Sequence, residues 1–166
     1  MWLPPRPLLE GPTAVNERLR DVEYILKDKI EGPESLVIEG DSIYTGLYDG
    51  RVVHIKDGKI VKEVKFTKQP KCGSFETEPL CGRPLGIRRL NRKEFVVADA
   101  YLGIFTVDFK AGTFCHIIKS NVPIEGRYMR FVNDVELHPD RKSLLFAECN
   151  MARIGRIDSQ ISQVSK

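Results

Sequence analysis

"EGPESLVIEGDSIYTGLYDGRVVHI", residues 31–55, sets a Gly-Pro corner before an apolar run, a second run, a Gly-containing turn and a third run. Short runs rich in β-branched and aromatic residues, bounded by Gly, Asp, Asn and Pro, read as strands. The chain continues in the same manner through "KIVKEVKF", "LGIRRL", "EFVVADA", "GIFTVDF", "FCHIIKS", "DVELH", "SLLFAEC" and "RIGRI". The "YDGR" and "KDGK" turns fit tight hairpin connections, which pairs neighbouring runs antiparallel. Residues 31–158 are therefore expected to form an all-β body.

Laying the runs over one another decides between two all-β architectures. Pro33 to Tyr44 spans eleven positions, as does Pro84 to Phe95, and Gly50 precedes "RVV" as Gly103 precedes "IFTV". A weaker third copy begins near Asn133, with "SLLFAE" in the place of "SIYTGL" and "EFVVAD". A repeat of about 50 residues built from about four strands marks a β-propeller blade, each sheet packing its faces on its neighbours. The alternative is a sandwich whose strands are merely evenly spaced, and the repeated proline-to-aromatic interval favours the propeller. The repeats supply two blades and part of a third. Propellers close with roughly four to eight, so this chain is not expected to close a ring by itself.

Ahead of the body, residues 1–30 divide into a Pro-rich start and "TAVNERLRDVEYILKDKI". Val15, Leu19, Val22, Leu26 and Ile30 recur there at steps of three and four, which predicts one amphipathic helix with Thr13 as its cap. Residues 159–166 read as a C-terminal tail.

Composition excludes some functions. The formal charge of +3 arises from 26 basic and 23 acidic residues. These are scattered, with no block of like charge to mark a nucleic-acid-binding arm, so no nucleic-acid partner is expected. No stretch is long and apolar enough to span a membrane, and "MWLPPRPLLEGP" lacks the apolar centre of a signal peptide. Cys72 and Cys81 lie nine positions apart across a polar loop. That spacing suits a loop-closing disulfide and lacks the two-residue gap of a zinc knuckle; two reduced thiols remain the other reading. Cys115 and Cys149 sit in apolar runs, where a free cysteine is expected to be buried as a small hydrophobe. His54, His116 and His138 lack metal-ligand spacing and read as surface or strand residues. "GIRRLNRKEF" and "PDRK" read as basic patches on outer loops, solvated rather than binding. No phosphate loop, serine nucleophile elbow or N-glycosylation acceptor occurs.

The segments "GPES…YTGLYDGRVV", "CGSFETEPLCGRPLGIR", "VVADAYLGIF", "PIEGRYMRFVNDVELHPD" and "AECNMARIGRI" together resemble the strictosidine synthase-like family of six-bladed calcium β-propellers, in order from about Leu8 to Ile157. The resemblance implies a membrane-associated protein with its propeller on the lumenal or extracellular side, attached through an anchor that this sequence does not contain, and an arylesterase-like hydrolysis of a small-molecule ester or lactone. In such propellers a Ca2+ ion on the central axis is held by one Glu, two Asn and one Asp from different blades. Glu34 in "GPES" matches the Glu and Asn133 in "FVND" the first Asn; the other two ligands have no counterpart. Taken by itself, Glu34 reads equally as a turn carboxylate and Asn133 as part of an Asn-Asp turn, with Asp134 the competing ligand if the register slips by one. No catalytic residue is assigned.

The family passes from its "FVND" segment through a further blade before reaching an "AETTMARI"-like segment, whereas "FVNDVELHPDRKSLLFAECNMARI" joins the two directly, which implies an internal deletion of about one blade or a spliced gene model. With half the ligands missing, calcium binding is expected to be weak or absent, and so is hydrolysis. The family's condensing chemistry, which depends on a glutamate in a later blade, is not expected at all. The expectation is a fragment or truncated form of a calcium-dependent arylesterase-type hydrolase of the secretory pathway, inactive alone. The alternative is a non-catalytic propeller module for binding or adhesion.

Overall fold

The computed structural model describes residues 4–140 and 142–149, together with the backbone of residues 153–158. The tail expected over 159–166 lies outside the described residues. Among the described residues, eleven strands form three antiparallel sheets. The first contains β1 (Glu34–Glu39), β2 (Ser42–Gly46), β3 (Arg51–Lys56) and β4 (Lys59–Lys65), and the second β5 (Pro84–Arg89), β6 (Phe95–Asp99), β7 (Gly103–Asp108) and β8 (Thr113–Lys119). The third contains β9 (Val132–Leu137), β10 (Ser143–Glu148) and β11 (Arg153–Asp158). Strand order within each sheet follows the chain, so every sheet is a meander. The chain is all-β and forms part of a propeller, its described residues making two four-stranded blades and three strands of another.

Local chemistry explains the hairpins. In "KDGK", Asp57 and Gly58 both take positive φ, 50° and 67°, as a two-residue type I′ turn requires, and Lys56 pairs directly with Lys59. Longer turns are held by side chains: Asn91 accepts the Lys93 and Glu94 amides at 2.8 and 2.9 Å. Asp108 likewise accepts that of Ala111 at 3.0 Å.

Burial follows position in the stack. The second sheet is covered on both faces, and all five residues of β6 are buried. Alternate side chains go opposite ways. Ile87, Phe95, Val97, Phe105 and Val107 pack toward Val52, Val64 and Phe66 of the first sheet. Val96, Ala98 and Ile104 pack toward Val132, Val135, Leu144 and Phe146 of the third. Phe66 stacks on Phe105 with centroids 3.9 Å apart. Strand β1 has only one covered face, and its Leu36 and Ile38 are exposed.

The first strands of the sheets, β1, β5 and β9, lie side by side. Each opens on a register shift against its partner: between Glu34 and Leu36, between Pro84 and Gly86, and opposite Ala147 and Glu148. These irregularities fix the true equivalences. Gly46 faces Glu34 as Asp99 faces Pro84, which makes Val97 the counterpart of Tyr44. The equal Pro33–Tyr44 and Pro84–Phe95 intervals are thus not structural equivalents, because the β1–β2 turn is shorter than the β5–β6 turn. Tyr44 and Phe95 instead touch across the seam, centroids 4.2 Å apart.

The amphipathic helix is not present. Gly11–Thr13 forms a 3₁₀ turn, and the chain from Ala14 to Gly32 runs through turns and irregular backbone. Thr13 donates its hydroxyl back to Glu10 O at 2.9 Å instead of capping a helix. Leu26 and Asp28 adopt left-handed φ values of 58° and 62°, which breaks any helical path. Apolar periodicity offers a stripe but no surface to receive it, and a short helix is marginal in water without packing. Only Leu26 and Ile30 find partners, against Leu47, Val53 and Ile55 on the outer face of the first sheet. Val15, Leu19 and Val22 are exposed. The one α-helical turn among the described residues, α1 (Glu78–Cys81), lies in the connection between the first two sheets.

Two further expectations are corrected. Cys115 and Cys149 are exposed free thiols, not buried ones. Cys115 lies on β8, the outermost strand of its sheet, whose first three residues are all exposed. Arg88 and Arg89 of the "GIRRLNRKEF" run belong to β5, not to an outer loop.

The sheets approach most closely at two glycines. A Cβ at Gly46 would run into Pro84, and one at Gly86 would stand 2.7 Å from Asp134 Oδ1 and 2.8 Å from Asp134 Cα. Gly86→Ala must therefore push β5 away from β9. Thermal or urea unfolding is expected to show a loss of about 2–3 kcal/mol, in the upper part of the overpacking range, whereas Gly40→Ala, in open space, should cost only its turn strain, about 1 kcal/mol. Equal losses at both positions would contradict the packing described.

Candidate functional site

The expected site residues lie on the innermost strands. Glu34 opens β1, is exposed, and its Oε2 accepts the Ser35 amide at 3.2 Å. Asn133 is the second residue of β9 and is also exposed. Asp134, the competing ligand, is already engaged. Arg88 of β5 donates from Nη2 to Asp134 Oδ2 at 2.9 Å, from Nε to Glu136 Oε2 at 2.8 Å and from Nη1 to Ser35 Oγ at 2.9 Å. One guanidinium thus ties β1, β5 and β9 together. Its hydrogen bond holds the Glu136 carboxyl below the usual carboxylate range. Burial works against the Arg88 charge, but Glu136 and Asp134 outweigh it and raise the guanidinium further.

Calcium takes six to eight oxygen ligands. Glu34 and Asn133 offer two side chains, and among the described residues no group of three or more His, Cys, Asp or Glu side chains stands together as a metal site would require.

A second polar cluster surrounds the connection between the first two sheets. Cys72 and Cys81 form a disulfide with Cα atoms 5.8 Å apart, and a Cβ on Gly50 of the β2–β3 turn would strike the Cys81 carbonyl. The stapled loop therefore packs directly on the first blade. Glu78 accepts the Tyr101 hydroxyl at 2.9 Å. Arg83 donates to Gly32 O at 2.9 Å and lies over the Tyr48 ring. Burial, and then the bond to Glu78, raise the Tyr101 hydroxyl. A cleft of about 550 Å³ opens beside this loop, lined by Ile30, Tyr48, Asp49, Arg51 and Cys72 among others.

At the centre of the cluster is Asp99, fully buried. Its Oδ1 accepts the Tyr101 and Leu102 amides at 3.0 and 2.9 Å, closing the β6–β7 turn. Its Oδ2 accepts no hydrogen bond of ordinary geometry and lies where a Cβ on Gly82 would go. Burial pushes the carboxyl up to about 6, against the pull of the Leu102, Tyr101 and Arg83 amides. Sequence reasoning missed Arg88 and Asp99. "VADAYLG" and "PLCGRPLG" were distinctive as patterns, but nothing in either shows that Asp99 and Gly82 meet.

His54 and His116 are strand residues held in ring stacks, and His138 lies at the turn after β9. His54 stacks on Tyr44 with centroids 4.4 Å apart and bonds Ser42 Oγ at 2.9 Å. His116 stacks on Phe105 at 3.9 Å. His138 pairs with Asp140 at 2.9 Å.

Successive antiparallel meanders with converging first strands define a propeller-blade protein, and the comparisons with known proteins refine that class. Residues 11–55 match the family described as strictosidine synthase-like, N-terminal. Over 142 residues the chain is 39% identical to the adipocyte plasma membrane-associated protein of Salmo salar and 39% identical to that of Homo sapiens, covering 86% of this chain and 34% of each relative. It is 34% identical over 106 residues to the Drosophila melanogaster adipocyte plasma membrane-associated protein Hemomucin, covering 63% of this chain and 18% of that one. The chain belongs to the strictosidine synthase-like family and spans about a third of the length of the vertebrate relatives it matches. Those relatives are named for the plasma membrane; among the described residues no helix is long and apolar enough to cross one.

Two measurements test this cluster. The Asp99 folded value lies above its unfolded one, so its contribution to stability is fully present below about pH 4 and is lost as pH rises through about 6, amounting to about 2–3 kcal/mol. Asp99→Asn should flatten the dependence of unfolding free energy on pH between those values; an unchanged slope would assign it to other groups. Separately, Cys72→Ser with Cys81→Ser should lower stability by about 2–3 kcal/mol in urea unfolding, the chain-entropy value for a loop of this length.

Proposed function

We propose that this chain is a portion of a calcium-dependent, arylesterase-type hydrolase of the secretory pathway, acting on a small-molecule ester or lactone from the lumenal or extracellular side of a membrane, and that alone it binds calcium weakly and hydrolyses nothing. The observation that carries this reading is the placement of Glu34 and Asn133, the two residues matched to the family's ligands, exposed at the starts of the innermost strands of the first and third sheets. Further blades, for which the longer relatives have room, would supply the remaining oxygens. The Cys72–Cys81 disulfide supports an oxidising compartment, since such bridges persist there and are rare in the cytosol.

A second reading, a non-catalytic binding or adhesion module, is favoured by Arg88. A guanidinium among the innermost strands pairs with both Asp134 and Glu136, so part of the carboxylate charge there is balanced by the protein itself.

Calcium titration and phenyl acetate hydrolysis separate the outcomes. For the chain alone, about 1 mM calcium is expected to move the unfolding midpoint by less than about 1 °C, since a ligand stabilises only as far as its concentration exceeds its dissociation constant. Hydrolysis should stay at the buffer rate. A chimera carrying the remaining length of the human relative should gain calcium-dependent hydrolysis and lose it on Glu34→Gln. A folded chimera with neither property would favour the binding module, and calcium-dependent turnover by the unextended chain would overturn both halves of the proposal.

A further inference from the structure

At the end of the blades remote from Glu34 and Asn133, the seam between the first and second sheets opens into a cleft of about 950 Å³. Its floor is a continuous group of rings. Tyr44 lies 4.2 Å from Phe95, 5.2 Å from Phe109 and 4.4 Å from His54 between centroids. Phe95 and Phe109 are buried, while Tyr44 and His54 are half-buried and reach the opening. Around the rim stand Lys62 of β4, Arg92 and Lys93 of the β5–β6 turn, and Lys110 of the β7–β8 turn, all exposed. Among the described residues none of these four has an ion-pair partner. Arg89, by contrast, is neutralised by Glu39 and lies over Phe95, its guanidinium carbon 3.7 Å from the ring centroid. The one carboxylate in the lining, Asp108, uses an oxygen to close its own turn.

Cations on turns are ordinarily solvated, and surface charge alone contributes little. What sets this place apart is convergence: three separate elements bring four unpaired positive charges to one opening, over an aromatic floor that in a closed seam would be covered. Like charges gathered around one concave opening repel one another and raise the local concentration of anions. A cleft of this size falls in the range that holds small ligands, with an apolar floor for affinity and a few polar groups for orientation. We propose that the cleft binds a small aromatic anion, an aryl group bearing one carboxylate, sulfate or phosphate, with the ring against Tyr44 and His54 and the charge among Lys62, Arg92, Lys93 and Lys110. This site is separate from the residues matched to calcium, and it stands or falls independently of any hydrolase activity.

Naphthalene-2-sulfonate tests the proposal by calorimetry and NMR on the 166-residue chain. The sulfonate should bind saturably at low ionic strength, moving Tyr44 and His54 ring resonances, and should weaken as salt shortens the screening length. The uncharged naphthalene-2-sulfonamide and inorganic sulfate, each carrying half of the recognised chemistry, should bind at least about tenfold more weakly. Lys93→Glu combined with Lys110→Glu, both exposed and unpaired, should cost at least about tenfold in sulfonate affinity. Lys71→Glu with Lys119→Glu, at the other end of the blades, should leave it unchanged. Equal binding of sulfonate and sulfonamide, indifference to the first double variant, or binding of a polysulfated glycan without binding of the naphthyl probe would each overturn the proposal.

Discussion

Face-to-face packing of the second sheet between its two neighbours is the constraint on which the structure depends. An antiparallel sheet normally keeps one face for water, yet β6 and β7 present apolar side chains to both sides and are buried through almost their whole length. That arrangement depends on the close approach of neighbouring sheets where Gly46 of β2 meets Pro84 of β5 and Gly86 of β5 meets Asp134 of β9. The aromatic seam toward the first sheet and the aliphatic seam toward the third follow from the same alternation. So does the position of Arg88, whose side chain reaches strands on both sides because they lie within its span.

The strands were legible because period-two alternation and turn residues are local signals. "KDGK" declares its own turn, and "FVVAD" declares a strand covered on both faces by having no polar side until Asp99. The blade repeat was legible for the same reason, although one interval used to recognise it joined Tyr44 to the wrong partner, since turn length and strand register trade against each other. The helix over residues 13–30 was misread because periodicity describes a stripe and says nothing about what it packs on. The exposure of Cys115 escaped for a related reason: an apolar run on an outermost strand looks like one in the core.

The site was legible only in outline. Spacing suggested the Cys72–Cys81 bridge, which the structure forms, and resemblance singled out Glu34 and Asn133. Arg88 was hidden within a basic run that looked like a solvated loop, because the charges that receive it lie on β9, far along the chain. Asp99 was hidden more deeply still. Its environment is made by Gly82 and the Arg83–Leu102 backbone, a meeting that exists only after the second sheet has folded.

The double cover of β6 also sets an order of events. Opening a strand means exposing whatever it covers, and local openings draw on the least covered elements first. The outermost β8, with its exposed start, and β1, with one bare face, are the margins from which amide protons should escape soonest. Those of β6 and β7 should exchange only when the whole stack comes apart, which makes the middle blade the slow clock of the molecule.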